Sequence, residues 1–109
     1  MINSAELLDR EAAETYATWF KALADGTRVQ IVSLLARSSE PMTVGQIVAA
    51  VQASQSTVSV HLKQLAQVGF VLTEPRGTAT LCRINDACVA GFPTAADLVM
   101  GRPVPAPAC

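Results

Sequence analysis

Histidine and aromatic residues are scarce in this chain of 109 residues: one His, one Trp, one Tyr and three Phe, with aromatics at 5%. So few aromatics argue against a stacking platform for single-stranded nucleic acid. A single imidazole, with no Gly-rich phosphate loop and no Ser-His-acid set, argues against an enzyme. Charged residues are only 16% against 50% hydrophobic, which excludes disorder driven by excess charge. Long apolar runs are missing too. Charges or Gly/Pro interrupt every stretch short of the roughly 18 residues that a membrane span needs. Met1 to Glu14 is acidic and lacks a basic-then-apolar export pattern, so the expectation is a cytoplasmic protein. Cysteines number three, and an odd count in such a compartment argues against structural disulfides. The length suits one domain, placed at residues 1–101, with a Pro-rich tail at 102–109.

What is present is unevenly charged. Residues 1–25 carry five acids against Arg10 and Lys21, giving −3. Residues 26–84 carry Arg28, Arg37, Lys63, Arg76 and Arg83 against two acids, giving +3. Residues 85–109 return to −1, as does the whole chain. A basic centre suits a module that meets a polyanion; ordinary surface charge is the alternative.

The apolar spacing is helical from Ser4 to Ala24, through Leu8, Ala12, Tyr16, Trp19, Phe20 and Leu23, with Asn3 or Ser4 as cap. Asp25 caps a second helix carrying Ile31, Leu34 and Leu35. Thr43 to Gln46 reads as a capping box that opens a short third helix. After a turn at Gln52-Ala53, Ser54 caps a fourth helix with an apolar row at Val58, Leu62 and Leu65, and Gly69 stops it. The period then switches to two. Phe70–Glu74 and Thr80–Ile84 read as a hairpin, with Pro75 to Ala79 between them and Pro75 at an end or outer edge. Asn85 caps a last helix, interrupted at Gly91-Phe92-Pro93 and renewed through Ala96, Leu98, Val99 and Met100.

Two short helices joined by a tight turn and followed by a hairpin make a winged helix-turn-helix. The fold expected is mainly α with a two-stranded β-hairpin, in the order four helices, two strands, one helix. In such a fold the fourth helix fits a DNA major groove, about 12 Å wide, with its outer face polar. At 100° per residue, Ser56, Val60, Lys63 and Gln67 oppose the Val58–Leu62–Leu65 row, with Ser59 and Gln64 on the borders. Val60 is apolar on a polar face. It is read as a contact to a thymine methyl, against a tolerated surface valine. His61 lies about 60° from the buried centre and is read as a boundary histidine, with phosphate contact as the alternative.

Phe20-Lys21-Ala22-Leu23-Ala24-Asp25-Gly26-Thr27-Arg28, Ser54 to Leu62, Val68-Gly69-Phe70-Val71 and Arg83-Ile84-Asn85 resemble the corresponding strings of ArsR/SmtB-type transcriptional repressors. The resemblance implies a homodimer that pairs its first and last helices and represses transcription on a double-stranded DNA operator until an effector loosens binding. It implies a dimer interface at Tyr16, Trp19, Phe20, Leu98 and Val99. It implies DNA contacts from Ser54, Gln55, Ser56, Thr57, Ser59, Val60, His61 and Lys63, with Arg76 and Thr78 on the hairpin. A winged-helix module acting with a co-regulator protein rather than binding DNA alone is the alternative. Several family features are replaced. Thr43 and Gly45 stand where metal sensors often carry Cys. The sole His61 cannot supply the Asp and His pairs that others carry on the last helix. Gly26 takes the place of the usual Pro, and Thr78 that of a basic hairpin residue.

Three cysteines remain as effector candidates. Cys88 falls in the first turn after Asn85, where a helix dipole favours thiolate. Cys82 lies six residues upstream on the second strand. With Cys109 as a third ligand they could take a transition metal such as nickel or zinc, take a metalloid, or respond to an oxidant. The alternative is buried small hydrophobes and a dispensable tail thiol.

Overall fold

The computed structural model describes the backbone of residues 7–101, and their side chains except for 88–94. The proposed caps at Asn3 and Ser4, the side chain of Cys88 and the tail with Cys109 therefore lie outside the described residues. The elements are α1 (Arg10–Ala22), α2 (Gly26–Arg37), β1 (Met42–Thr43), α3 (Val44–Val51), α4 (Gln55–Gln67), β2 (Val71–Arg76), β3 (Ala79–Ile84) and α5 (Asp86–Val99).

Each helix starts on a side chain that satisfies otherwise orphaned N–H groups, α5 excepted. The α1 helix begins at Arg10, later than its apolar spacing suggests. Asp9 accepts from the Ala12 N–H at 3.2 Å, and a carboxylate at that end is favoured by the helix dipole. Asp25 accepts from Thr27 and Arg28 at 2.9 and 3.1 Å. The capping box at α3 is complete: Thr43 Oγ1 accepts from the Gln46 N–H, and Gln46 Oε1 accepts from the Thr43 N–H. Asn85 occupies the N-cap position of α5 but makes no capping bond. Its amide donates to the Gly69 carbonyl at 2.9 Å, tying the end of β3 to the end of α4. The α5 backbone runs through Pro93 without interruption, although a Pro there removes one helical hydrogen bond.

The sheet is antiparallel, in the order β1-β3-β2. It contains the expected hairpin and a third short strand, in which Met42 faces Cys82 and Thr43 faces Leu81. The hairpin loop is tighter than its composition suggests. Arg76 pairs with Ala79, leaving only Gly77 and Thr78 at the tip. Gly77 has φ 63°, which places the glycine where a two-residue turn requires it. Pro75 is paired within β2, an edge strand, where a missing N–H is tolerated.

One core joins these elements: Ile31 and Leu35 of α2, Ile47 of α3, the α4 row, Phe70, Val71, Cys82 and Ile84 from the sheet side, and Ala95 of α5. Trp19 belongs to it as well. It is 6% exposed, with ring centroids 5.6 Å from Tyr16 and 6.3 Å from Phe70. The side chain expected at a subunit contact is therefore enclosed by its own chain. Tyr16 and Phe20 are half-buried beside it.

Candidate nucleic-acid interface

The turn before α4 is set by Gln52, which adopts the left-handed conformation (φ 57°, ψ 44°) as C-cap of α3. Ser54 then accepts from the Thr57 N–H at 3.1 Å, donates to Thr57 Oγ1 at 2.8 Å, and lies 3.2 Å from Ser56 Oγ. A small cluster of hydroxyls thus crowns the N-terminus of α4, the end that projects positive potential. The far end closes in a Schellman motif: Phe70 N–H donates to Leu65 O, and Gly69 N–H donates to Ala66 O, with Gly69 at φ 86°.

Val58, Leu62 and Leu65 are sealed in the core. Burying each contributes about 1.5–3 kcal/mol, so packing rather than helix propensity fixes which face α4 turns outward. That outward face carries Ser54, Gln55, Ser56, Thr57, Ser59, Val60, Lys63, Gln64 and Gln67, all exposed, with Val60 at 56%. Arg76 and Thr78 are exposed at the hairpin tip, and Arg76 lies 3.5 Å from Glu74. The structure thus exposes every α4 residue expected to meet DNA except His61.

His61 turns inward. Its side chain is 15% exposed and lies between Asp25 and Arg28. Arg28 Nη1 approaches Nδ1 at 3.2 Å, and a guanidinium can only donate. The geometry therefore assigns the imidazole proton to Nε2, which faces Asp25 at 3.7 Å. Arg28 also donates from Nε to the Ala22 carbonyl and from Nη1 to Gln64 Oε1, both at 2.6 Å. It contacts the Lys21 carbonyl at 3.4 Å. One guanidinium thus ties the open carbonyl end of α1 to α2 and α4. The hydrogen bond from the Arg28 N–H, opposed by partial burial and helped by the Thr27 N–H and the Arg28 charge, lowers the Asp25 carboxyl below its ordinary range. The Arg28 anchor is absent from the residues that sequence spacing selects, because its partners on α4 are 33 and 36 positions away.

Of the three cysteines, Cys82 has a described side chain. It is fully buried between β1 and β2, and burial pushes its thiol up. That environment favours an inert packing residue over a thiolate ligand. Among the described residues, no three His, Cys, Asp or Glu side chains are grouped to hold a metal ion.

A polar-faced helix held on a helical core, beside a hairpin with a cationic tip, defines a winged helix-turn-helix module. The chain belongs to the arsR family of bacterial regulatory proteins, whose pattern matches residues 25–73. It is 36% identical over 78 residues to the HTH-type transcriptional regulator Rv2034 of Mycobacterium tuberculosis, covering 72% of this chain and 71% of that protein. It is 35% identical over 66 residues to the arsenic resistance transcriptional regulator ArsR1 of Pseudomonas putida, covering 61% of this chain and 51% of that protein. Its structure resembles the homodimeric winged helix-turn-helix DNA-binding domain Mb0332 of Mycobacterium bovis, with a TM-score of 0.67 and 33% identity over 89% of this chain and 90% of that one.

Proposed function

We propose that the chain acts in the cytoplasm as a homodimeric transcriptional repressor, binding a dyad-symmetric duplex with α4 in the major groove and the hairpin tip beside it. The carrying observation is the division of α4: three apolar side chains sealed inward, and hydroxyls, amides, Val60 and Lys63 outward. In this reading Ser56, Ser59, Val60 and Lys63 face base edges and phosphates, Ser54, Gln55 and Thr57 position the helix N-terminus, and Arg76 and Thr78 meet the neighbouring backbone. His61, held by Arg28, sets the orientation of α4 rather than touching DNA itself. Dimerisation involves α1 and α5, with Tyr16, Phe20, Leu98 and Val99. It draws support from the homodimeric state of the Mycobacterium bovis domain and from the exposure of Val99 and Met100.

The test is a gel shift on the DNA upstream of the chain's own coding region, repeated from low to high salt. Expected is tight binding to one dyad site with half-sites about one helical turn apart, falling steeply as salt rises. Equal affinity for that region and for random duplex overturns the reading.

A further inference from the structure

A cleft of about 250 Å³ lies between the last turn of α1 and the C-terminal half of α4. Lys21, Arg28, Gln64 and Gln67 line it, and no carboxylate does among the described residues. Part of its donor capacity is unspent. Arg28 commits Nε and Nη1, but its Nη2 makes only the long 3.4 Å contact to Lys21 O. Gln64 gives its oxygen to Arg28, which leaves the amide N–H groups of that side chain unused. The Lys21 ammonium and the Gln67 amide have no hydrogen bond or ion pair among the described residues. Asp25, the carboxylate near Arg28, is occupied by the Thr27 and Arg28 N–H groups.

Two cations and two amides line one cleft that has no carboxylate in its described lining, which leaves a surplus of donors over anionic acceptors. We propose that this cleft binds a small oxyanion, a phosphate or carboxylate group held by Lys21 and Arg28 with the Gln64 and Gln67 amides. A planar guanidinium suits such a group, and charge-assisted bonds to it are the strong ones. The oxyanion comes from a free solute or from the DNA backbone, since Gln67 continues the outward row of Val60 and Lys63. An anion held here engages the same guanidinium that ties α1 to α4.

The experiment titrates inorganic phosphate into the full chain at constant ionic strength, so that general screening is fixed. NMR signals of the Arg28 Nε–H and of the Gln64 and Gln67 side-chain amides are followed. Saturable shifts that weaken about tenfold in Lys21→Gln, with its melting temperature unchanged, assign the site to a free oxyanion. A second arm measures the salt dependence of duplex binding. If phosphate alone does not saturate but Lys21→Gln lowers the log–log salt slope by about one, the backbone phosphate is the ligand. Absence of both effects overturns the proposal. Only the second arm rests on the DNA-binding reading. A parent chain that binds no duplex sinks that reading, while the phosphate arm still decides this one.

Discussion

Val60 is over half exposed on a helix whose other outward side chains can all hydrogen-bond or carry charge. Folding gives no reason for a β-branched apolar residue there, since it buries little and has only middling helix propensity. A thymine methyl provides one. Val60→Thr keeps the shape and replaces a methyl with a hydroxyl. The expected outcome is an unchanged melting temperature and roughly a 3- to 10-fold loss of affinity, confined to operators with thymine at one position per half-site. Competition among operator variants checks it, and an equal loss on all of them removes the contact. Cys82 carries a second test at this scale. Burial raises its thiol above the ordinary 9.0, so the folded state holds the proton after the unfolded chain has released it. Its contribution is complete below pH 9 and is lost as pH rises through the raised value. Denaturation between pH 7 and 10.5 should therefore show an alkaline decline that flattens in Cys82→Ala, while native Cys82 resists alkylation. The outward face of α4 was legible in the sequence because burial repeats on a local 100° angle. The boundary position of His61 was legible from the same angle, whereas the enclosure of Trp19 was not. Whether a boundary side chain turns in or out depends on Arg28 and Phe70, which tertiary packing supplies from other elements.

Elements were legible where their ends carry local chemistry. The Thr43–Gln46 box, the Ser54 cap, and the glycines at 69 and 77 each involve partners within a few positions. The strand β1 had no such signal. Two residues cannot show a period, and Met42 and Thr43 become a strand only because β3 lies alongside. Packing likewise overrides the Gly91–Pro93 breaker signal in α5, which carries Ala95 into the core. Gly26 is the element-scale test. It is the first residue of α2, its preceding residue Asp25 is extended (φ −145°, ψ 132°), and a Cβ there would meet nothing within 4 Å. Both conditions suit proline, whose missing N–H is not needed at a first helical position and whose predecessor prefers extended backbone. Gly26→Pro should stabilise the fold by about 0.4–1 kcal/mol through a less flexible unfolded chain. Urea denaturation at fixed protein concentration measures it, and a drop in midpoint shows that the Asp25 cap has been disturbed.

At the scale of the whole molecule, the charge layout and the exposed apolar side chains divide the chain between two tasks. The basic centre, residues 26–84, includes α4 and the hairpin, whereas the acidic N-terminal segment leads into α1. The helices α1 and α5 pack on each other, and Leu7, Val99 and Met100 around them are 94%, 44% and 77% exposed. A second copy that covers these side chains while each α4 faces the same duplex accounts for both features, since a two-fold pairing puts the same patch on both subunits. Val99→Asp with Met100→Asp sets charge against charge at such a seam without entering the core. The expected outcome is a monomer in sedimentation at micromolar concentration. Affinity for a dyad operator should fall by roughly a hundredfold or more, because the second half-site no longer gains from linkage. Binding to a single half-site should stay at the parent value, since α4 and its Arg28 anchor are untouched. A double variant that remains dimeric, or a monomer that still binds the dyad as tightly as the parent, places the subunit contact elsewhere on the molecule.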